Sequence, residues 1–181
     1  MAITVLENGF VFVPRPDWDY DADYPSASLR TPVSTVYIHH TVTNPTANPC
    51  NDARTVERVL DQRGLSGYNY LSHPDGTILE LAGEKRGAHT KGQNSTSIAI
   101  SLIGNYDHLQ PTLMQLANIA RCINLLRLKG VLVPDLEKIQ ILPHSAAPGA
   151  ATACPGANVR LPRINGRTAV EWIRWFAATG V

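Results

Sequence analysis

Cysteine is scarce in this chain, with three residues (Cys50, Cys122 and Cys154) among 181. An odd, widely spaced trio cannot build the disulfide framework of a small secreted domain, and it fits synthesis in a reducing cytosol. Charge is sparse and balanced: 16 Lys and Arg stand against 15 Asp and Glu, for a formal net charge of +1. The basic residues are scattered, so no phosphate-tracking surface exists and nucleic acid is excluded as the main partner. No apolar run approaches the roughly 20 residues that span a bilayer, which excludes a stable membrane association of that kind. The N-terminus, MAITVLENGFVFVPRPDWDY, has neither the basic n-region nor the long apolar h-region of a secretory signal. The expectation is a chain made in the cytoplasm, which reaches any substrate outside it by another route. Internal repeats, linkers and low-complexity tracts are also missing. What is present is ordinary globular composition, 44% hydrophobic and 17% charged. That amount fits one domain over residues 1–181, monomeric by default, burying about two-thirds of its unfolded surface.

Residues 1–34, rich in Pro, Asp and Tyr, read as an irregular ordered segment packed on the domain. Thr35-Val36-Tyr37-Ile38-His39 reads as a buried strand that delivers a histidine at its C-terminal end. A loop from Asn44 to Cys50 leads to a helix starting at Asn51 or Asp52 and stopping at Gly64. Tyr68–Ser72 and Thr77–Leu81 form two strands around the turn His73-Pro74-Asp75-Gly76, and Ser97–Ile103 is a central strand. Leu113 to Lys129 is the clearest helix, with Thr112 and Gln115 as a capping box. Lys138–Leu142 is a short strand leading to His144. A final helix starts at Thr168 with Glu171 as its capping partner. Strands and helices in this order predict an α+β fold, a central mixed sheet of about five strands flanked by three helices.

The chemistry-bearing residues are His39 in VYIHHT and the pair His144 and Cys154 in HSAAPGAATACPG. Both histidines end predicted strands, and Cys154 follows in a Gly/Ala-rich loop able to fold back. Two imidazoles and a thiolate suit zinc better than magnesium or calcium, which take oxygen ligands. Three protein ligands leave the fourth tetrahedral position to water, the arrangement of a catalytic rather than a structural zinc. Two rivals stand beside this. Cys154 as nucleophile with His144 as base makes a metal-free hydrolase but leaves His39 idle. A closed structural site takes His40 as fourth ligand, although neighbouring residues on a strand point to opposite faces. Cys122 reads as core. Cys50, His73 and His108 carry no evident chemistry.

Five segments together carry a family resemblance: VYIHHTVT (36–43), GLSGYNYLSHPDGTILE (64–80), RGAHTKGQNSTSIAISLIGNY (86–106), LQPTLMQL (109–116) and PHSAAPGAATACPG (143–156). The chain resembles the zinc N-acetylmuramoyl-L-alanine amidases of the peptidoglycan-recognition-protein and phage-amidase superfamily, over almost its whole length. Asp17-Trp18 is similar to the start of the recognition-protein branch. The resemblance implies a fold like theirs, Zn2+ as cofactor, and His39, His144 and Cys154 as its ligands. It makes Tyr68 and Thr152 the catalytic side chains and places serine (Ser101) where one branch has glutamate, which favours the recognition-protein mechanism. It implies a substrate groove lined by His89, Thr90, Lys91 and Asn94, with Arg86 or Lys91 meeting stem-peptide carboxylates. The gap between His144 and Cys154 is longer than in many relatives.

The implied reaction is hydrolysis of the amide between N-acetylmuramic acid and L-alanine of peptidoglycan. The implied setting is a phage endolysin released through a holin, or a lytic domain of a larger protein. A cytosolic enzyme recycling muropeptides and a non-catalytic peptidoglycan receptor on the same fold are the alternatives. Leu81 to Arg86 shows neither the Gly-Trp nor the Asn-Phe pair that separates diaminopimelate from lysine peptides in recognition proteins.

Overall fold

A computed structural model of the chain describes residues 4–6, 9–19 and 27–180. One sheet of seven strands runs through it: β1 (Thr4–Leu6), β2 (Phe10–Val13), β3 (Thr35–His40), β4 (Tyr70–Ser72), β5 (Ile78–Glu80), β6 (Ile98–Leu102) and β7 (Gln140–Pro143). The spatial order is β1-β2-β5-β4-β6-β3-β7. Strands β4, β6, β3 and β7 are parallel to their neighbours in that run, while β1–β2 and β4–β5 pair antiparallel. Four α-helices accompany them: α1 (Pro49–Asp61), α2 (Leu113–Leu128), α3 (Ala157–Arg160) and α4 (Ala169–Thr179).

The mixed α+β class is as expected, but the sheet has seven strands instead of about five. The two extra strands lie in the 1–34 segment read as irregular. β2 attaches parallel to β5 through Phe12↔Ile78 and Val13↔Leu79. Its sequence, FVFV, lacks the apolar–polar alternation that marks a half-buried strand, because Phe10 and Val13 are buried at its two ends. Residues 20–26 of that segment lie outside the described residues. The fourth helix, α3, is a single turn of four residues, too short to leave a periodic pattern.

Both faces of the sheet are covered, and this makes β6 buried along its whole length. One face (Val36, Ile38, Tyr70, Ile78, Ile98, Ile100, Leu102) packs under α2 and α4. The other (Leu71, Leu79) packs with Ala53, Val56 and Leu60 of α1 and with Trp18 and Ile103. Helix α1 begins two residues before the expected Asn51, because Asn48 Oδ1 accepts the Asn51 N–H and Pro49 occupies the first turn. Cys50 therefore lies in the helix.

The capping box expected at α2 forms only by half. Thr112 Oγ1 accepts the Gln115 N–H, but the Gln115 side chain turns inward, donating to Ser72 O (2.9 Å) and accepting from Tyr106 Oη (3.0 Å). At α4 both halves of the box are present. No helix among the described residues is long and apolar enough to cross a membrane.

Candidate metal centre

Parallel pairing sets the site. The register Ile38↔Pro143 between β3 and β7 brings the next residues, His39 and His144, level at the C-terminal ends of their strands. On the other side His39 pairs with Ser101 of β6. The 144–154 connection is closed at its base, where the Ser145 N–H donates to Cys154 O at 2.9 Å. One ligand atom each of His39, His144 and Cys154 then lies within 4.8 Å of the others. His39 Nδ1 is 3.7 Å from Cys154 Sγ, and the His39 and His144 rings are 4.3 Å apart. Ordinary zinc–nitrogen and zinc–sulfur bonds at tetrahedral angles separate donors by about 3.3–3.6 Å. The trio is thus close to that arrangement, and its donor set fits zinc.

Electrostatics agree. Burial, followed by the neighbouring His89, His144 and His40, holds His39 well below the usual histidine range, and burial lowers His144. Both imidazoles are neutral, with a lone pair to offer. Burial pushes the Cys154 thiol up to about 11, against a hydrogen bond from the His40 backbone, so a metal that binds must displace its proton. A raised thiol is the opposite of what nucleophilic cysteine needs. The ring nitrogen within hydrogen-bond reach of the thiol is Nδ1 of His39, at 3.7 Å, rather than a nitrogen of His144, the base proposed for it. His40 is not in the ligand cluster: its Nδ1 accepts the Tyr106 N–H at 3.2 Å. No fourth histidine, cysteine or carboxylate joins the trio among the described residues.

The half-buried Tyr68 ring lies 5.2 Å from that of His39. Burial, with Cys154 adding, pushes its phenol up to about 12, so it is a proton donor at neutral pH. The fully buried Ser101 hydroxyl is close enough to Tyr68 to favour its ionised form slightly, yet it makes no hydrogen bond of full geometry. Thr152 is exposed in the loop, and its Oγ1 accepts the Cys154 N–H at 3.1 Å, which leaves its own proton free.

The expected groove residues separate. Thr90 and Lys91, with His144 and Ala147 to Ala150, line an open cavity of about 330 Å³ beside the His39, His144 and Cys154 trio. Thr90 is buried, and its Oγ1 lies 3.3 Å from His39 Nε2. The Asn94 carboxamide oxygen faces the backbone, accepting the N–H groups of His89 (3.0 Å) and Thr90 (2.8 Å). His89 packs 5.7 Å from the His39 ring, behind it. Arg86 is exposed and is not among the residues lining this cavity.

A further set, Tyr106, Asp107 and Gly156, supports the site without a role read for it in the sequence, although Tyr106 and Gly156 end two of the quoted segments. Asp107 Oδ1 accepts the Ala157 N–H, Tyr106 O accepts the Asn158 N–H, and Leu109 O accepts the Asn158 carboxamide. The 105–109 loop therefore clamps the backbone just after Cys154. Gly156 sits at φ +95° with Tyr106 so close that a Cβ would lie 2.5 Å from its carbonyl carbon. The place of Gly156 two residues after Cys154 is the signal the sequence offers.

Known proteins resemble this chain in sequence and in fold. The family profile described as N-acetylmuramoyl-L-alanine amidase matches residues 29–157. A peptidoglycan-recognition protein of Drosophila simulans is 31% identical over 175 residues, covering 90% of this chain and 87% of that protein. The N-acetylmuramoyl-L-alanine amidase of Homo sapiens is 31% identical over 140 residues, 71% of this chain but 23% of the human protein. Among solved structures, bumblebee PGRP-SA superposes with a TM-score of 0.72 at 30% identity, covering 81% of this chain and 89% of that one.

Proposed function

Because the chain belongs to the N-acetylmuramoyl-L-alanine amidase family, we propose that it is a zinc hydrolase of peptidoglycan that cleaves the amide between N-acetylmuramic acid and L-alanine. The observation that carries this reading is the convergence of His39, His144 and Cys154 beside a cavity that His144 lines. Zinc held there supplies a Lewis acid that lowers the pKa of water from about 15.7 towards 7 and polarises a carbonyl. The chain's own residues do the rest. The Tyr68 phenol, kept protonated by burial, donates to the oxygen that becomes negative as the carbonyl carbon turns tetrahedral. The free proton of Thr152 is a second donor. Lys91, exposed at the lip of the groove, meets stem-peptide carboxylates.

Digestion of purified cell walls, read by mass spectrometry, tests this. Stem peptides with a free L-alanine amine should appear, vanish with a chelator and return with zinc. Tyr68→Phe should keep zinc and wall binding but lose roughly 10²–10³-fold in kcat; unchanged turnover removes Tyr68 from the mechanism. The likeness to recognition proteins favours one second reading, a receptor that binds without cutting. Wall binding with no zinc-dependent peptide release would establish that reading and overturn the amidase. Comparing intact walls with soluble anhydro-muropeptides separates a lytic enzyme from a recycling one.

A further inference from the structure

Behind the metal ligand His39 stands a row of three polar groups whose protons can be assigned. Thr90 Oγ1 lies 3.3 Å from His39 Nε2 and 3.1 Å from His89 Nδ1. The backbone N–H groups of His89 and Thr90 are both held by Asn94 Oδ1, so the row is fixed in place from outside. A hydroxyl has one proton to give. While the Thr90 proton stays within the row and both imidazoles are neutral, the row runs in one of two directions.

In the first, His39 Nε2–H donates to Thr90 Oγ1, and the Thr90 O–H donates to His89 Nδ1. In the second, His89 Nδ1–H donates to Thr90, and Thr90 donates to His39 Nε2. The second direction forces the His39 proton onto Nδ1, the nitrogen that faces Cys154 Sγ and must offer its lone pair to a metal. The near end of the row decides between them. His39 Nδ1 lies 3.7 Å from Cys154 Sγ, within the trio of donors, so a metal held there takes the Nδ1 lone pair and leaves the proton on Nε2, facing Thr90 Oγ1.

We propose that Thr90 is a positioning residue that holds His39 with its proton on Nε2 and its Nδ1 lone pair aimed at the metal, with His89 anchoring the row. Thr90 lines the groove and yet acts through His39 rather than on substrate. The choice of tautomer rests on the zinc reading above; the contact between Thr90 and His39 does not. Hydrogen bonds of this kind behind a ligating histidine are worth roughly 10- to 100-fold in metal affinity.

Three measurements test it. Long-range ¹⁵N–¹H NMR of the metal-free wild-type chain should show His39 protonated at Nε2; a proton on Nδ1 overturns the proposal without any variant. Zinc competition against a chromophoric chelator should find Thr90→Val, of similar shape but lacking the hydroxyl, about 10- to 100-fold weaker. Thr90→Ser, which restores the hydroxyl, should return wild-type affinity. Equal zinc affinity in wild type and Thr90→Val, or equal weakness in Thr90→Ser and Thr90→Val, overturns it. Should Thr90→Val not fold, the serine variant and the wild-type spectrum still decide. If wild type itself binds no zinc, the amidase reading falls while the NMR result stands on its own.

Discussion

His73 sits between carboxylates on both sides of its ring. Nδ1 is 2.8 Å from Asp75 Oδ1, and Nε2 is 3.2 Å from Asp52 Oδ2 and 3.0 Å from Thr46 O. Asp52 in turn accepts the Thr46 N–H and hydroxyl, so one buried imidazole joins the β4–β5 turn, the start of α1 and the loop that follows β3. Burial pulls the His73 pKa down, but the hydrogen bonds and ion pairs with these partners outweigh it and hold the pKa above its ordinary 6.5. Burial raises Asp75, but its bonds to His73 and Thr77 outweigh that too and bring it from 3.8 to about 2. The raised histidine contributes stability that is complete below 6.5 and lost as pH rises through its folded pKa. The lowered aspartate contributes above 3.8, and that part is lost as pH falls towards 2. The pair therefore stabilises most between those limits, less a discount for screening of the half-exposed Asp75. Urea unfolding of wild type and His73→Gln should show the widest gap in midpoint near about pH 5, narrowing as pH climbs past about 7. A gap that widens with pH would contradict this assignment.

Two helix starts that look alike in the sequence do different work. Thr168 and Glu171 bond each other's backbone at α4 on the surface, so Thr168→Ala should cost about 1 kcal/mol. Gln115 occupies the same place in α2 but serves Ser72 O and Tyr106 Oη in the interior. Gln115→Ala should cost more, about 2 kcal/mol or above, because it leaves buried polar atoms without partners. Urea denaturation of the two variants checks the ranking. The contrast also marks what the sequence can disclose. The helical stripes of α2 and α4, the β3 strand and the three donors are legible because each is a local pattern ending in a chemically distinctive side chain. The inward turn of Gln115 depends on Ser72, 43 positions away, and the role of Thr90 on His39, 51 positions away. A hydroxyl or carboxamide carries no mark of its distant partner. The short strand β2 is hidden for a related reason, since its place is set by the strand it joins rather than by its own alternation.

At the scale of the molecule, the three proposed metal donors come from three places held separately. His39 belongs to the centre of the sheet, His144 to the end of β7, and Cys154 to backbone clamped by the 105–109 loop. Gly156→Ala should disturb only the third, since its Cβ would press on Tyr106 at φ +95°. Strain of this kind costs about 1–3 kcal/mol. The expected result is unchanged far-UV circular dichroism, a lowered Tm and weaker zinc binding; wild-type zinc affinity would show that the clamp does not position Cys154.

The bond from Ser145 N–H to Cys154 O gives this arrangement a further reach. It ties the two ends of the 146–153 excursion together beneath it, and Thr152 is held to the Cys154 N–H, so the path left free runs over residues 146–151. Residues can be added to or removed from that stretch, by natural variation or by grafting, while the three donors and Thr152 keep their places. The wall at Ala147 to Ala150 would then be free to diversify, widening or narrowing the groove for different substrates around one constant centre.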